Sequence, residues 1–119
     1  MSSISPAPIL MQCAYEMNIW IHAYVETLPQ EGHADLISQL RRAGDSAVRN
    51  IGEGAEFRSR MTDGQFLQLM GTAQGSTHEL VAQLSIAKKQ KLGDEGTLMK
   101  AENKCIETSG MLAAITQPL

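Results

Sequence analysis

TDGQFLQLMGTAQGSTHELVAQLSIAKKQKLG, residues 62–93, is the stretch that decides the fold of this chain. It opens on Thr62-Asp63-Gly64-Gln65, the Ser/Thr-x-x-Gln/Glu spacing of a capping box. There the Thr62 hydroxyl accepts an orphan backbone amide and the Gln65 side chain reaches back. Phe66, Met70, Ala73, Thr77, Leu80, Val81 and Leu84 follow at three- and four-residue steps, one apolar stripe along a helix. Lys88, Lys89 and Lys91 gather at the end, where the helix dipole is negative, and Gly93 is placed as a C′ glycine. The spacing predicts a helix over about 63–92, the longest of the chain. Its oily stripe needs partners.

The rest of the sequence supplies three. Upstream, Leu36, Leu40, Ala43, Ala47, Ile51 and Ala55 predict an inner stripe for a helix over about 34–57, widened by Ile37, Gly44 and Val48. Gly52 and Gly54 weaken its last turns by about 1 kcal/mol each against Ala. Further back, Leu10, Ala14, Met17, Ile21, Tyr24, Val25 and Leu28 form the stripe of a helix that begins just after Pro8 and is stopped by Pro29 and Gly32. Downstream, Asp94 is placed as the N-cap of a last helix whose Leu98, Ala101, Cys105, Ile106, Leu112 and Ile115 face inward, with Pro118 at its end. No segment alternates with a period of two. Short connections between long helices force antiparallel neighbours. The expected fold is therefore all-α, an antiparallel up-down-up-down four-helix bundle at 9–117, preceded by an extended segment at 1–8.

Composition narrows the function classes. Aromatic residues are only 4% of the chain, so the core is built from Leu, Ile, Met and Ala, residues that lose little freedom in helices. A formal charge of −3 argues against a chain coated in Lys and Arg for generic nucleic-acid binding, but leaves room for a local basic face. Cys13 and Cys105 follow no metal or redox spacing and read as buried free thiols. The N-terminal stretch lacks the basic and apolar regions of a signal peptide, and no run is long enough to span a membrane. These point to a cytoplasmic protein. His22, His33 and His78 are scattered, without a His-x-x-x-His or Glu-x-x-His pair, so no metal or other cofactor is expected.

Three groups of residues merit a functional reading. Ser46, Asn50 and Glu53 stack on one flank of the second helix with Gln39 in line, and Ser76 and Glu79 occupy a similar flank of the third. A catalytic row can look like this. A hydrogen-bond network at a helix seam looks the same, and no His or Lys base accompanies the serines, so the structural reading is preferred and no catalytic residue is expected. Arg41, Arg42, Arg49, Arg58 and Arg60 outnumber the three acids between Leu36 and Arg60, a local surplus of two positive charges. All are Arg, which suits bidentate contacts to phosphate or carboxylate on nucleic acid or a protein partner. The plainer reading is surface pairing of Arg41 with Asp45 and Arg49 with Glu53. Finally, Gly71, Gly75, Ala82 and Ile86 make a second strip on the third helix, away from its core stripe, while Ile19 and Ala23 lie off the main stripe of the first. A helix apolar on two sides suggests a further burial partner, and homo-oligomerisation is expected.

The segment Gln39 to Arg60, QLRRAGDSAVRNIGEGAEFRSR, resembles the signature of the bacterial four-helix-bundle proteins encoded by intervening sequences in large-subunit ribosomal RNA genes. Gln39, Leu40, Arg41, Arg42, Ala43, Ser46, Asn50, Ile51, Glu53 and Gly54 carry the likeness. A second block, Ala73 to Leu80, is similar to the family's third-helix element through Gly75, Ser76, Glu79 and Leu80. Ala47-Val48 stands where the family usually has Ile-Pro, and Gly52 where it has Ala, so the kink a proline brings is missing from the second helix. The resemblance implies a left-handed bundle that assembles as a ring, a homopentamer, without an established molecular function. The chain also looks like the accessory variability proteins of diversity-generating retroelements, bundles that bind a reverse transcriptase and nucleic acid. The expected role is a non-enzymatic, nucleic-acid-associated or scaffolding module. A bundle that binds only protein, or a ligand-binding or hydrolytic one using Ser46, Asn50 and Glu53, are the alternatives.

Overall fold

A computed structural model describes residues 8–117. Four α-helices run in order as α1 (Pro8–Val25), α2 (Ala34–Glu56), α3 (Asp63–Lys89) and α4 (Glu95–Thr116), with a single 3-10 turn, Arg58–Arg60, after α2. There is no strand among the described residues. The extended segment expected at 1–8 and the stop at Pro118 lie outside the described residues, except that Pro8 is itself the first residue of α1. Proline suits that position, because the amide it lacks would have no helical partner there.

Helix packing follows chain order: α1 contacts α2, α2 contacts α3, α3 contacts α4, and α4 returns to α1. The molecule measures 50 × 22 × 19 Å, a cross-section that fits helices of about 10 Å diameter two by two. Two core clusters fix the directions. One joins Leu10 at the start of α1, Ile51 late in α2, Phe66 and Met70 early in α3, and Leu112 late in α4. The other joins Ile21, Tyr24 and Val25 with Leu40, Leu84, Leu98 and Ala101 at the opposite end. Each helix therefore runs against its predecessor. The bundle is up-down-up-down, as the short connections 26–33, 57–62 and 90–94 require.

The helix ends repay attention because they set these connections. Gln65 N–H donates to Thr62 Oγ1 at 3.1 Å and the Thr62 amide donates to Gln65 Oε1 at 2.9 Å, so the capping box forms as read. Asp94 caps α4 by accepting the Thr97 amide at 2.8 Å. The end of α3 differs from expectation. The helix stops at Lys89, and the left-handed C′ residue is Lys91, with φ 57°, not Gly93. Leu92 N–H reaches Ala87 O at 3.0 Å and Lys91 N–H reaches Lys88 O at 3.1 Å, the paired bonds of a Schellman motif. Gly93, at φ 67°, serves a different purpose. A Cβ there would lie 2.7 Å from Thr27 Oγ1 and 2.9 Å from Tyr24 Cε1. The missing side chain lets the α3–α4 turn sit on the end of α1, where Tyr24 Oη donates to Leu92 O and the Asp94 amide donates to Thr27 Oγ1.

One expected inward position in each of α2 and α4 is taken by another residue. Ala55 is exposed, and Gly54 takes the inward place against Phe66 and Met70. Ile106 is exposed and Thr108 is buried instead, its hydroxyl donating to Lys104 O at 2.7 Å. Leu36, Val81 and Ile115 are half-buried against the edges of the core. α2 is a single α-helix from Ala34 to Glu56 through its glycines.

Candidate functional site

The five arginines do not form one face. Arg41, Arg42 and Arg49 line an open groove of about 530 Å³ on the outer side of α2, together with Gln30, Ala34, Ile37, Ser38 and Asp45. Steps of three, four and seven residues from Ser38 place this set on one side of the helix. Arg58 and Arg60 lie beyond the far end of α2, about 20 Å along the axis from Arg42.

Arg58 is also committed to the fold. Its guanidinium pairs with Asp63, donates to Met61 O at 3.2 Å and lies 4.7 Å from the centroid of the Phe66 ring. It ties the 3-10 turn to the first turn of α3, away from the groove that holds Arg41, Arg42 and Arg49. Arg60 stacks over Phe57 at 5.9 Å.

Within the groove the charges are arranged differently from the simple i, i+4 pairing. Arg41 pairs with Glu26, just past the end of α1, at 3.1 Å rather than with Asp45. Among the described residues no ion pair joins Arg49 to Glu53, and none involves Arg42. Asp45 turns toward α1 instead. Its Oδ1 accepts from Asn18 Nδ2 at 3.0 Å and stands 3.0 Å from His22 Nε2. The Asn18 amide first, then His22, hold the Asp45 carboxyl below the usual carboxylate range against the opposing effect of its partial burial, with Arg49 adding a smaller attraction. With Asp45 engaged across the seam and Arg41 paired with Glu26, Arg42 and Arg49 are the groove cations without an ion pair among the described residues.

The Asn18–His22–Asp45 cluster was not found by sequence reasoning. Asp45 lies 23 and 27 positions from His22 and Asn18, on a different helix, and no spacing rule within one helix links it to them. Gly44 is the one trace. A Cβ there would collide with the Asn18 side chain, so the glycine admits the Asn18 amide to the seam.

The polar row resolves into a seam and two surface groups. Asn50 Nδ2 donates to Ser46 O at 2.8 Å and to Ser46 Oγ at 3.3 Å, while Ser76 Oγ donates to Ser46 Oγ at 3.0 Å. These three half-buried residues join α2 to α3. Gln39, Glu53 and Glu79 are exposed and do not join them; Glu79 accepts from Gln83 on its own helix. Glu53 borders a separate open recess with Met61, Gln65, Gln68 and Leu69. Among the described residues no three His, Cys, Asp or Glu side chains are grouped to hold a metal ion. No described helix is long and apolar enough to cross a membrane.

The strip Gly71, Gly75, Ala82 and Ile86 is exposed along α3, and nothing in the described chain would lie within 4 Å of a Cβ at either glycine. Those glycines therefore do not serve a helix of the same chain.

A family model described as 23S rRNA-intervening sequence protein matches residues 9–114. The chain belongs to that family. The match takes in all four helices, from the first turn of α1 to the last turn of α4. Within it, the two blocks that carry the sequence resemblance meet in space: Ser46 and Asn50 come from one, Ser76 from the other, and they bond across the α2–α3 seam. No curated protein matches the chain.

Proposed function

We propose that this member of the 23S rRNA-intervening sequence protein family is a non-enzymatic, homo-oligomeric cytoplasmic bundle that holds nucleic acid in the arginine groove of α2. One observation carries the reading. Arg41, Arg42 and Arg49 border a single open groove, where Arg41 is paired with Glu26 and the lining acid Asp45 is bonded to Asn18 and His22. Guanidinium groups so placed suit phosphate oxygens, which they bind bidentately. A single groove with three cations binds weakly at physiological salt; copies repeated around a ring, the pentamer that the family resemblance implies, add by avidity. The exposed small-residue strip of α3 offers a contact face for such a ring. Buried free thiols at Cys13 and Cys105 suit a reducing compartment.

The test combines mass and salt. Light scattering with and without nuclease reads subunit number and bound nucleic acid together. Oligonucleotide affinity is expected to fall steeply from about 50 to 200 mM salt, because binding rests on released counterions. Changing Arg41, Arg42 and Arg49 together to Ala is expected to abolish it. Affinity that survives the triple change, or that ignores salt, would overturn the reading. Ile86, Met99 and Ile106, all large apolar residues exposed on the surface, favour a protein partner as the second reading; a stable co-purifying protein without nucleic acid would support that instead.

A further inference from the structure

We infer that the groove takes single-stranded rather than duplex nucleic acid, with Tyr15 as the platform on which a base stacks. This rests on the nucleic-acid reading of the arginine groove. A second recess, of about 450 Å³ and lined by Tyr15, Asn18, Ile19 and His22, lies on the outer side of α1. It adjoins the arginine groove through Asp45, which borders one and is bonded to Asn18 and His22 of the other.

The register of the antiparallel pair places the two chemistries side by side. Met11 approaches Gly52, Asn18 approaches Gly44 and bonds to Asp45, His22 reaches Asp45, and Glu26, just past α1, reaches Arg41. Tyr15 therefore stands one turn from that seam cluster, between the Asn18–Gly44 and Met11–Gly52 contacts, alongside the stretch of α2 that includes Arg49. Tyr15, Ile19 and His22 share one side of α1 by their three- and four-residue steps, the side that His22 turns toward Asp45.

Tyr15 is 52% exposed and Ile19 65% exposed, large apolar side chains on the surface rather than within the core. A phosphate backbone lying on Arg41, Arg42 and Arg49 brings its bases over this side of α1. Bases in a duplex are stacked on each other and offer no face to a protein ring, whereas single-stranded bases stack freely on an aromatic side chain. Charge alone gives the opposite preference, because a duplex carries more phosphate per unit length. A preference for the single strand therefore requires stacking.

The experiment compares a single strand of about 12 nucleotides with the duplex of the same length by fluorescence anisotropy at low salt. The unmodified protein is expected to bind the single strand more tightly. Tyr15→Ala is expected to weaken that binding about tenfold while leaving duplex binding unchanged, and Tyr15→Phe to keep it. Far-ultraviolet circular dichroism confirms that the variants keep their helices. Duplex bound as tightly as single strand, or Tyr15→Ala without effect on the single strand, would overturn this inference. If the triple arginine change abolishes binding while Tyr15→Ala changes nothing, the groove reading stands and the stacking inference alone falls. Self-association lost in Tyr15→Ala and insensitive to oligonucleotide would assign this face to a second copy and also overturn it.

Discussion

Gly54 shows how a single position can be set by its neighbours rather than by its own helix. In isolation a glycine inside α2 costs about 1 kcal/mol against Ala, so Gly54→Ala ought to stabilise. A Cβ at this site would meet Met70 Cε at 2.6 Å and the Phe66 ring at 3.2 Å, and both side chains are fully buried. Overpacking of this kind costs about 1–3 kcal/mol, which exceeds the propensity gain. The expected outcome is a net loss of about 1 kcal/mol in urea unfolding, and a gain would show that Phe66 yields freely. Arg58 makes the same point for charge. Its neighbours in sequence give it the look of a surface cation, and its role depends on Asp63, Met61 and Phe66 folding back over it. A turn decides that geometry, and turn geometry leaves no periodic trace.

At the scale of elements, the starts of helices were more legible than their ends. Thr62 and Asp94 cap α3 and α4 with the bonds their residue types announce, since a cap needs only a side chain and an amide a few residues apart. The end of α3 misled because two left-handed residues, Lys91 and Gly93, stand close together, and the glycine was the natural choice for C′. Its real constraint comes from α1, a partner distant in sequence. Gly93→Ala combines an unfavourable backbone conformation with contact against Thr27 and Tyr24, and is expected to destabilise by about 2 kcal/mol or more. Thermal unfolding checks this, and an unchanged midpoint would mean that the turn sits loosely on α1. One position in each of the stripes of α2 and α4 was misplaced for a simpler reason. Buried positions keep steps of three and four, through Ala47, Ile51 and Gly54 in α2 and Ala101, Cys105, Thr108 and Leu112 in α4, which leaves Ala55 and Ile106 outside and brings a glycine and a threonine in.

For the whole molecule, the bundle followed from the sequence because four stripes and three short connections leave one simple arrangement. The groove followed only in part: three of its arginines were singled out, but the acid that faces α1 depends on how two helices pair. Electrostatics across the assembled bundle carries its own prediction. Asp45, Glu16 and Asp94 are all held below the usual carboxylate range, by Asn18, Lys104 and Thr97 respectively. A carboxyl lowered by folding contributes stability above its unfolded value, near pH 4, and loses it as the pH falls through the folded value. The melting temperature is expected to stay level from about pH 7 to 5 and to drop below about pH 4. A rise on acidification would contradict these pairings.

One junction differs from the other three. No loop ties α1 to α4, and their contact is held by Glu16 with Lys104 at 2.8 Å, Cys13 with Thr108 at 3.2 Å and the Lys100 ammonium 4.6 Å from the Trp20 ring. Four rods hinged edge to edge form a strip, and this junction is where the strip is rolled shut. Closing it joins residues nearly a full chain length apart, so it bears the largest loop-closure entropy of any hem in the molecule. Unzipping there uncovers Cys13 and Cys105 together while leaving every hinge intact.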